Sequence, residues 1–404
     1  MEFLSNPQRQ PFGKGARLDD FDPREAGRIR DFHRKFGEYA PTPLTALPNL
    51  AKSLGLANIF VKDESKRFGL NAFKVLGGSH AIGRILAQRL GLPFDDLDVG
   101  ALRAGAFADR LDGLAFATAT DGNHGRGVAW TASQFHCPTH VFMPKGSASI
   151  RAENIRACGA QCLITDLNYD DAVRLADGEA RKNGWVMVQD TAWKDYEDIP
   201  RWVMQGYMTL AGEALEQMRG QGVEAPSHVF LQAGVGSFAG AALGHFAAVL
   251  GDRTPTAVIV EPKRADCIFR SLAAGDGKPR NVQGDMATIM AGLACGEPST
   301  LSWGILRDYA AAGLSVAEHL AANGMRILAA PLPGDPAITS GESGAVTCGA
   351  LERICSGPDQ AIRSQLGLSA GSTVLLISTE GDTSPEMYRN VVWRGGYPAP
   401  DLAN

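Results

Sequence analysis

The segment that constrains the fold most strongly is Asn71-Ala72-Phe73-Lys74-Val75-Leu76-Gly77-Gly78, followed downstream by Thr120-Asp121-Gly122-Asn123-His124-Gly125. Lys74 lies after an aromatic residue and before paired glycines, which would let the backbone approach a planar ring. A lysine reacts covalently with a carbonyl only where burial or neighbouring charges suppress its own charge. Together the two segments indicate a Schiff-base enzyme, whereas Lys74 alone is more typical of a surface lysine near a helix start.

Short apolar runs alternate with helical stretches from about residue 55 onward. The runs are rich in β-branched residues and end at Gly, Pro or Asp, as buried parallel strands do. They cover 59–62, 115–119, 140–143, 161–164, 186–189, 229–232, 257–260 and 373–377. Helical spacing is found between them, in 79–89, 125–135, 202–219 and 237–250. This order predicts an α/β protein with helices on both faces of mainly parallel sheets.

The overall composition excludes several classes of partner. The chain has 404 residues and a formal net charge of -5, with Lys and Arg dispersed, so we expect neither nucleic-acid nor membrane binding. Residues 1–20 lack the apolar core of a secretory signal. Seven cysteines without paired CxxC spacing predict reduced thiols in a cytoplasmic protein and no metal site. At this length we expect two domains, or one large domain with an insertion.

A second glycine-rich segment is Gln232-Ala233-Gly234-Val235-Gly236-Ser237-Phe238, which follows one predicted strand and opens a predicted helix. Exposed N–H groups at a helix N-terminus, beside glycines, form a cradle for phosphate. The spacing is one residue longer than the dinucleotide fingerprint, yet Glu261 closes the next strand where a ribose-binding acid would lie. A nicotinamide-dependent oxidoreductase and a simple packing turn both stay open as alternatives.

Two other strand ends carry candidate ligand groups, because ligands of open α/β sheets bind outside the carboxyl ends of strands. Ser378-Thr379-Glu380-Gly381-Asp382 offers a hydroxyl that can hydrogen-bond a heterocyclic nitrogen without giving it a full proton. Asp190 follows another strand and would hold a cationic substrate if one binds nearby. In isolation, the first segment is typical of a turn and Asp190 of a helix N-cap.

These segments together resemble one enzyme family. Pro41-Thr42-Pro43-Leu44, Phe73-Lys74, Gly122-Asn123-His124-Gly125, and Met143-Pro144 followed by Arg156 and Gly159-Ala160 occur in the order typical of the tryptophan synthase β-like (fold type II) pyridoxal-phosphate enzymes. The resemblance implies two three-layer α/β domains with the active site between them, and a homodimer. The large, discontinuous coenzyme-binding domain would comprise residues 1–90 and 195–404, and the small inserted domain residues 91–194.

The same resemblance implies pyridoxal 5'-phosphate as the coenzyme and assigns its contacts. These are Lys74 for the covalent bond, Asn123 for the ring hydroxyl oxygen, Gly234, Val235, Gly236 and Ser237 for the phosphate, and Thr379 or Ser378 for the pyridine nitrogen. Val235 stands where many relatives have another glycine, which leaves fewer unhindered amides.

Within this family the chain is similar to the ammonia-lyases that act on 2,3-diaminopropionate. The related serine/threonine dehydratases have Ser before Gly-Asn-His, where this chain has Asp121, and segments 67–74, 189–193, 292–298 and 378–382 are similar to the ammonia-lyases. We therefore expect α,β-elimination of 2,3-diaminopropionate of either hand to pyruvate and ammonia, with a dehydratase as the alternative. Lys74 would take the α-proton, Asp121 would take that of the D-enantiomer, and Asp121 or Asp190 would attract the leaving ammonium group.

Overall fold

Two β-sheets organise the chain in a computed structural model that describes residues 1–357 and 359–400. The strands are β1 (Glu2–Ser5), β2 (Leu44–Ala46), β3 (Asn58–Asp63), β4 (Phe116–Ala119), β5 (Thr139–Met143), β6 (Gln161–Ile164), β7 (Val186–Met187), β8 (His228–Gln232), β9 (Thr256–Pro262), β10 (Ala312–Val316) and β11 (Thr373–Ser378). The larger sheet has the order β1-β10-β9-β8-β11-β3-β2, and the smaller one has the order β6-β5-β4-β7.

The helices fill the segments between these strands. They are α1 (Pro23–Arg34), α2 (Pro48–Ser53), α3 (Val75–Leu90), α4 (Val99–Arg103), α5 (Ala108–Leu111), α6 (Asn123–Gln134), α7 (Ser149–Arg156), α8 (Tyr169–Asn183), α9 (Asp198–Gly206), α10 (Met208–Gly220), α11 (Ser237–Leu250), α12 (Cys267–Ala274), α13 (Thr300–Tyr309), α14 (Glu318–Ala329), α15 (Glu342–Ser356), α16 (Gln360–Leu366) and α17 (Pro385–Val392). Short 3-10 helices cover Asp19–Phe21, Glu64–Gly69, Phe94–Asp96, Gly251–Arg253 and Ala291–Leu293.

Both sheets are mainly parallel, as the apolar runs predict. The smaller sheet is parallel throughout, and in the larger sheet only the edge strands β1 and β2 pair antiparallel with their neighbours. Successive residues of the inner strands enter different apolar cores: Leu375 and Ile377 of β11 join one, and Val374 and Leu376 join the other. Each face of the larger sheet is therefore covered, which explains why the central positions of β3, β8, β9 and β11 are apolar.

The predicted strands are all present, and three further strands were missed. β1 and β2 are short edge strands, and β10 reads Ala-Gly-Leu-Ser-Val, a composition with little β-branched signal. Segment 202–219 is helical as predicted but in two helices, since α9 ends at Gly206, where a Cβ would lie 2.3 Å from the carbonyl oxygen of Leu76, and α10 begins at Met208. Helix α16 had no sequence signal of its own, although Ile362 and Leu366 are buried in the second core.

All strands of the smaller sheet lie within residues 91–194. The division of the chain at residues 90/91 and 194/195 stays a prediction, and its last residues, 401–404, lie outside the described residues. Across the described ranges, none of the helices combines the length and hydropathy that a bilayer crossing requires. The seven cysteines are free thiols, and most of them are buried.

Candidate active site

One cavity brings together residues from the carboxyl ends of both sheets. It encloses about 660 Å³ of space not filled by protein atoms, including space open to solvent. Every predicted site residue except Ser378 lines it. The lining comprises Phe73, Lys74, Thr120, Asp121, Asn123, His124, Tyr169, Asp190, Gln232, Ala233, Gly234, Val235, Gly236, Ser237, Phe238, Gly292, Leu293, Cys295, Ser343, Thr379 and Glu380.

Lys74 lies immediately before α3, with its side chain 15% exposed toward this cavity. Its Nζ atom donates a short hydrogen bond to Asp190 Oδ2. Burial lowers the pKa of Lys74, but the Asp190 carboxylate, assisted by smaller interactions, outweighs burial, and the pKa is raised overall. The expectation that neighbouring groups suppress the charge of this lysine is therefore not met in the coenzyme-free protein.

A buried ionic network anchors the segment that leads to Lys74. Arg67 is fully buried and pairs through Nη2 with Glu64 Oε1 at 2.8 Å and with Glu213 Oε2 at 2.7 Å. Closer to Lys74, the amide of Gly381 donates to the carbonyl oxygen of Asn71 at 3.0 Å. A Cβ on Gly381 would collide with the Asn71 side chain. Segments 67–74 and 378–382, which both resemble the same group of enzymes in sequence, therefore pack against each other in the fold.

Asp190 accepts hydrogen bonds from several groups besides Lys74. Tyr169 Oη donates to its Oδ1 at 3.2 Å, and Gln189 Nε2 lies 3.3 Å from the same oxygen. Burial raises the pKa of Asp190, but Lys74 and then His124 lower it by more, so the pKa falls well below its usual range. Asp190 is therefore a carboxylate throughout the neutral range.

Asp121 has a different partner and the opposite pKa shift. Its Oδ2 accepts from Arg151 Nη1 at 2.9 Å, and the Arg151 side chain is 6% exposed. Gly122 has φ +147°, and a Cβ there would meet the Arg151 side chain at 3.0 Å, so glycine lets the arginine pass. Burial raises the pKa of Asp121, and Arg151 and Lys74 oppose this only in part.

Asn123 begins α6 and is held by the segment after β11. Its Nδ2 donates to Glu380 Oε2 at 2.5 Å, and the same carboxylate oxygen accepts from Thr383 Oγ1 at 3.1 Å. Arg151 Nη2 lies 3.3 Å from Thr383 Oγ1. Residues on either side of the cavity are thereby linked, and the side-chain amide of Asn123 is fixed at its edge.

The glycine-rich segment forms the cradle that its sequence predicts. Gly236 is the N-cap of α11 with φ +92°, and no side chain caps this helix end. The Ser237 hydroxyl donates to the carbonyl of Asp190 at 2.5 Å, so its amide is the group available for an anion. Val235 belongs to an apolar cluster that also contains Phe142 and Tyr169, and it lines the cavity as well.

The two candidate hydroxyls after β11 differ in position. Thr379 lines the cavity, and its Oγ1 lies 2.9 Å from Gln232 Nε2. Ser378 Oγ instead hydrogen-bonds Ser340 Oγ at 2.7 Å and is absent from the cavity lining. The hydroxyl placed to meet a ring nitrogen is therefore that of Thr379 rather than that of Ser378.

This set of groups fits pyridoxal phosphate. Lys74 offers an amine, the uncapped N-terminus of α11 offers amides to a phosphate, and Thr379 offers a hydroxyl. Three buried polar atoms of the lining, His124 Nδ1, Gln232 Oε1 and Ser343 Oγ, have no hydrogen-bond partner within the protein, as expected where a polar ligand belongs. In the described ranges, no cluster of three or more His, Cys, Asp and Glu residues could hold a metal ion.

The geometry of Glu261 removes the basis for the nicotinamide alternative. Its carboxylate is fully buried and accepts from the amides of Ile268 at 2.8 Å and Phe269 at 2.6 Å, at the start of α12. Burial raises its pKa well above the ordinary value. A side chain occupied in this way cannot bind a ribose, so Glu261 is a capping residue.

Three residues of the site, two that line the cavity and Arg151 that contacts Asp121, were missed by sequence reasoning. Arg151 belongs to no recognisable motif, and Tyr169 opens α8 far from any quoted segment. Glu380 was quoted inside a motif without a role of its own. Of these three residues, only Glu380 could have been found from the sequence, because it follows the predicted Thr379 directly.

Comparison with known proteins agrees with this geometry. The family described as "Pyridoxal-phosphate dependent enzyme" matches residues 36–380. A diaminopropionate ammonia-lyase from Salmonella typhimurium is 51% identical over 397 residues, which is 98% of each chain. A crystal structure of diaminopropionate ammonia-lyase from Escherichia coli in complex with an aminoacrylate-PLP azomethine reaction intermediate has a TM-score of 0.90 at 48% identity, covering 98% of this chain and 97% of that one. The Escherichia coli protein in complex with D-serine gives a TM-score of 0.91 at 47% identity, covering 98% of each chain.

Proposed function

Because the chain belongs to the pyridoxal-phosphate-dependent enzymes and, within them, to the diaminopropionate ammonia-lyases, we propose a role for each charged group of its cavity in one elimination reaction. The enzyme is a carbon–nitrogen lyase that uses pyridoxal phosphate to convert 2,3-diaminopropionate to pyruvate and ammonia. The observation that carries the assignment of roles is that one amine and two carboxylates with opposite pKa shifts line one cavity.

The coenzyme is held by the residues described above. Pyridoxal phosphate, when bound, supplies a carbonyl that condenses with the substrate amine and a ring that accepts the electrons left by the departing α-proton. The amides of Gly234, Val235, Gly236 and Ser237 hold its phosphate. Asn123 would contact its ring hydroxyl oxygen, Thr379 its ring nitrogen, and the amine of Lys74 its carbonyl carbon.

Lys74 and Asp121 share the removal of the α-proton. As a neutral amine, released in exchange for the substrate amine, Lys74 takes the proton of one enantiomer. Asp121 takes that of the D-enantiomer. A carboxylate whose pKa is raised by burial accepts a proton more readily near neutral pH than an ordinary one does. Arg151 keeps the Asp121 carboxylate in place through the bond of 2.9 Å.

Asp190 serves the amine that leaves from the β-carbon. Its pKa is lowered, so it stays charged and attracts the ammonium form of that amine. The amine must depart protonated, and a carboxylate beside it favours this form. In the free protein, Lys74 occupies the same carboxylate, so the substrate ammonium group would take the place of the lysine ammonium group.

The experiment that tests the two-base assignment is Asp121→Asn assayed on both enantiomers of 2,3-diaminopropionate. We expect a large loss of kcat on the D-enantiomer and a much smaller loss on the L-enantiomer. Equal losses, or no loss on either, would contradict the assignment. For Lys74, the Lys74→Ala variant should lack the visible absorbance of the covalently bound coenzyme, and an unchanged spectrum would exclude Lys74 from that role.

The dehydratase alternative differs only in the leaving group. Pyruvate release should be much faster from diaminopropionate than from D- or L-serine, because a hydroxyl does not carry the charge that Asp190 attracts. A panel of small amino acids with pyruvate detection compares them directly, and faster release from serine would favour the dehydratase.

We also propose that the enzyme is a cytoplasmic homodimer. The dimer rests on the family to which the chain belongs, and the location rests on seven unpaired cysteines. Sedimentation equilibrium and cell fractionation would test the two statements separately, with a monomer or a secreted protein as the contrary results.

A further inference from the structure

Gln232 lies at the end of β8, with its side chain buried against the end of β11. The residue is 1% exposed. Its Nε2 donates to the carbonyl oxygen of Ile377 at 2.9 Å and lies 2.9 Å from Thr379 Oγ1. Its Oε1 is buried and has no hydrogen-bond partner in the protein. The side chain therefore joins β8 to the hydroxyl that faces the coenzyme cavity.

The carbonyl of Ile377 fixes the orientation of this amide. A backbone carbonyl only accepts hydrogen bonds, so the atom of Gln232 that faces it must be the NH₂ group. The reversed amide would place two acceptor oxygens 2.9 Å apart. Since Nε2 carries two hydrogens, one bonds to Ile377 and the other is directed to Thr379 Oγ1.

This orientation determines what the hydroxyl of Thr379 can do. Because its oxygen already accepts from Gln232, its own hydrogen is free to be donated elsewhere. The backbone at Thr379 is fixed as well, since its carbonyl accepts from the amide of Phe73 at 3.1 Å, next to Lys74. The hydroxyl hydrogen is thus available to an acceptor in the cavity.

We propose that Gln232 is a positioning residue that keeps the Thr379 hydroxyl a donor toward the coenzyme, so that the ring nitrogen is bound without a proton. The proposal rests on the placement of the ring nitrogen at Thr379 given under Proposed function. An unprotonated nitrogen withdraws less electron density from the substrate carbons, which favours rapid loss of the β-amine over prolonged storage of charge in the ring. Gln232 would therefore influence the outcome of the reaction without touching the substrate.

A double-mutant cycle on coenzyme affinity tests this mechanism. Pyridoxal phosphate is titrated into the coenzyme-free native enzyme, Gln232→Met, Thr379→Val and the double variant. Each single variant should bind about fivefold more weakly, the size expected for one neutral hydrogen bond. Adding Gln232→Met to Thr379→Val should weaken binding no further, because Gln232 acts only through the hydroxyl. Ser378→Ala, which removes a buried hydroxyl outside the cavity, is the matched control and should bind as the native enzyme does.

A second measurement requires no variant. Coenzyme labelled with ¹⁵N at the ring nitrogen is bound to the native enzyme, and solid-state NMR reports whether that nitrogen carries a proton. An unprotonated nitrogen supports the proposal, and a protonated one overturns it.

The outcomes separate this proposal from the one on which it rests. If Thr379→Val binds the coenzyme with native affinity, the ring nitrogen does not lie at Thr379 and both proposals fail. If Thr379→Val weakens binding and the effect of Gln232→Met simply adds to it, Gln232 acts independently of the hydroxyl and only the present proposal fails.

Discussion

Replacing Asp190 by Asn should release Lys74 from its ion pair and make its amine reactive. Lys74 Nζ bonds to Asp190 Oδ2, and the two side chains are only 15% and 4% exposed. The pKa of Lys74 is raised and that of Asp190 is lowered, so both groups are charged throughout the neutral range. An asparagine keeps the shape and removes the charge, which leaves the burial of the lysine unopposed by its main partner.

The size of the effect follows from the burial of the pair. Removing one partner of a buried ion pair costs about 3–5 kcal/mol, because the remaining charge is left uncompensated. Lys74 can avoid that cost by losing its proton. Since a factor of ten in proton affinity corresponds to about 1.36 kcal/mol, the fraction of neutral Lys74 amine at a given pH should rise roughly a hundredfold or more.

Reductive alkylation of the coenzyme-free enzyme measures this fraction. Acetaldehyde with cyanoborohydride modifies neutral amines, and peptide mass spectrometry gives the rate at Lys74 relative to the exposed Lys52. We expect a rise of roughly a hundredfold in Asp190→Asn at neutral pH. Asp121→Asn is the matched control and should change the rate less, because the Asp121 carboxylate is paired with Arg151. Equal rates at Lys74 in the native enzyme and in Asp190→Asn would refute the reasoning.

Three further changes have outcomes that the structure determines. Arg151→Met should raise the pKa of Asp121 further, because Arg151 lowers it, and should move the acidic limb of kcat/KM to higher pH for the D-enantiomer alone. The pKa of Glu261 is raised in the folded protein, so folding takes up a proton above pH ~4.3. The free energy of unfolding should therefore fall as pH rises. Glu261→Gln should lack this decline in denaturant titrations. Gly236→Ala places a Cβ 2.8 Å from Ser302 Oγ at φ +92° and should weaken coenzyme affinity more than tenfold. The control is Gly275→Ala, which has φ +68° and open space around it and should leave coenzyme affinity unchanged.

The inner strands could be predicted from the sequence because they are buried on both faces. Such strands are apolar at successive central positions without alternation, and β3, β8, β9 and β11 all show this. Strand β10 is buried too, but it contains small residues. A Cβ added to Gly313 would lie only 3.2 Å from the Phe269 ring. Its register comes from its neighbours, which a local pattern does not contain.

The site was predictable where function depends on a local backbone feature. The glycine segment before α11 is such a feature, because a helix N-terminus and its N-cap are adjacent in sequence. The state of charge of Lys74 is not local, since its partner lies 116 residues away. The same holds for Gln232, which acts on Thr379 only because β8 and β11 are neighbours in the sheet.

Asp121 and Asp190 differ in proton affinity because their cations differ in distance and geometry. Asp190 has the Lys74 ammonium directly on its oxygen and two further donors, so the charged form is favoured despite burial. Asp121 has the Arg151 guanidinium at 2.9 Å, yet burial still dominates its pKa. Environments that move the pKa values of two neighbouring acids apart assign them different tasks. The acid with the raised pKa is suited to accept the α-proton, and the one with the lowered pKa is suited to stay charged beside the departing ammonium group. An exchange of these tasks would require Asp121 to lose its proton more easily than Asp190, which the positions of Lys74 and Arg151 oppose.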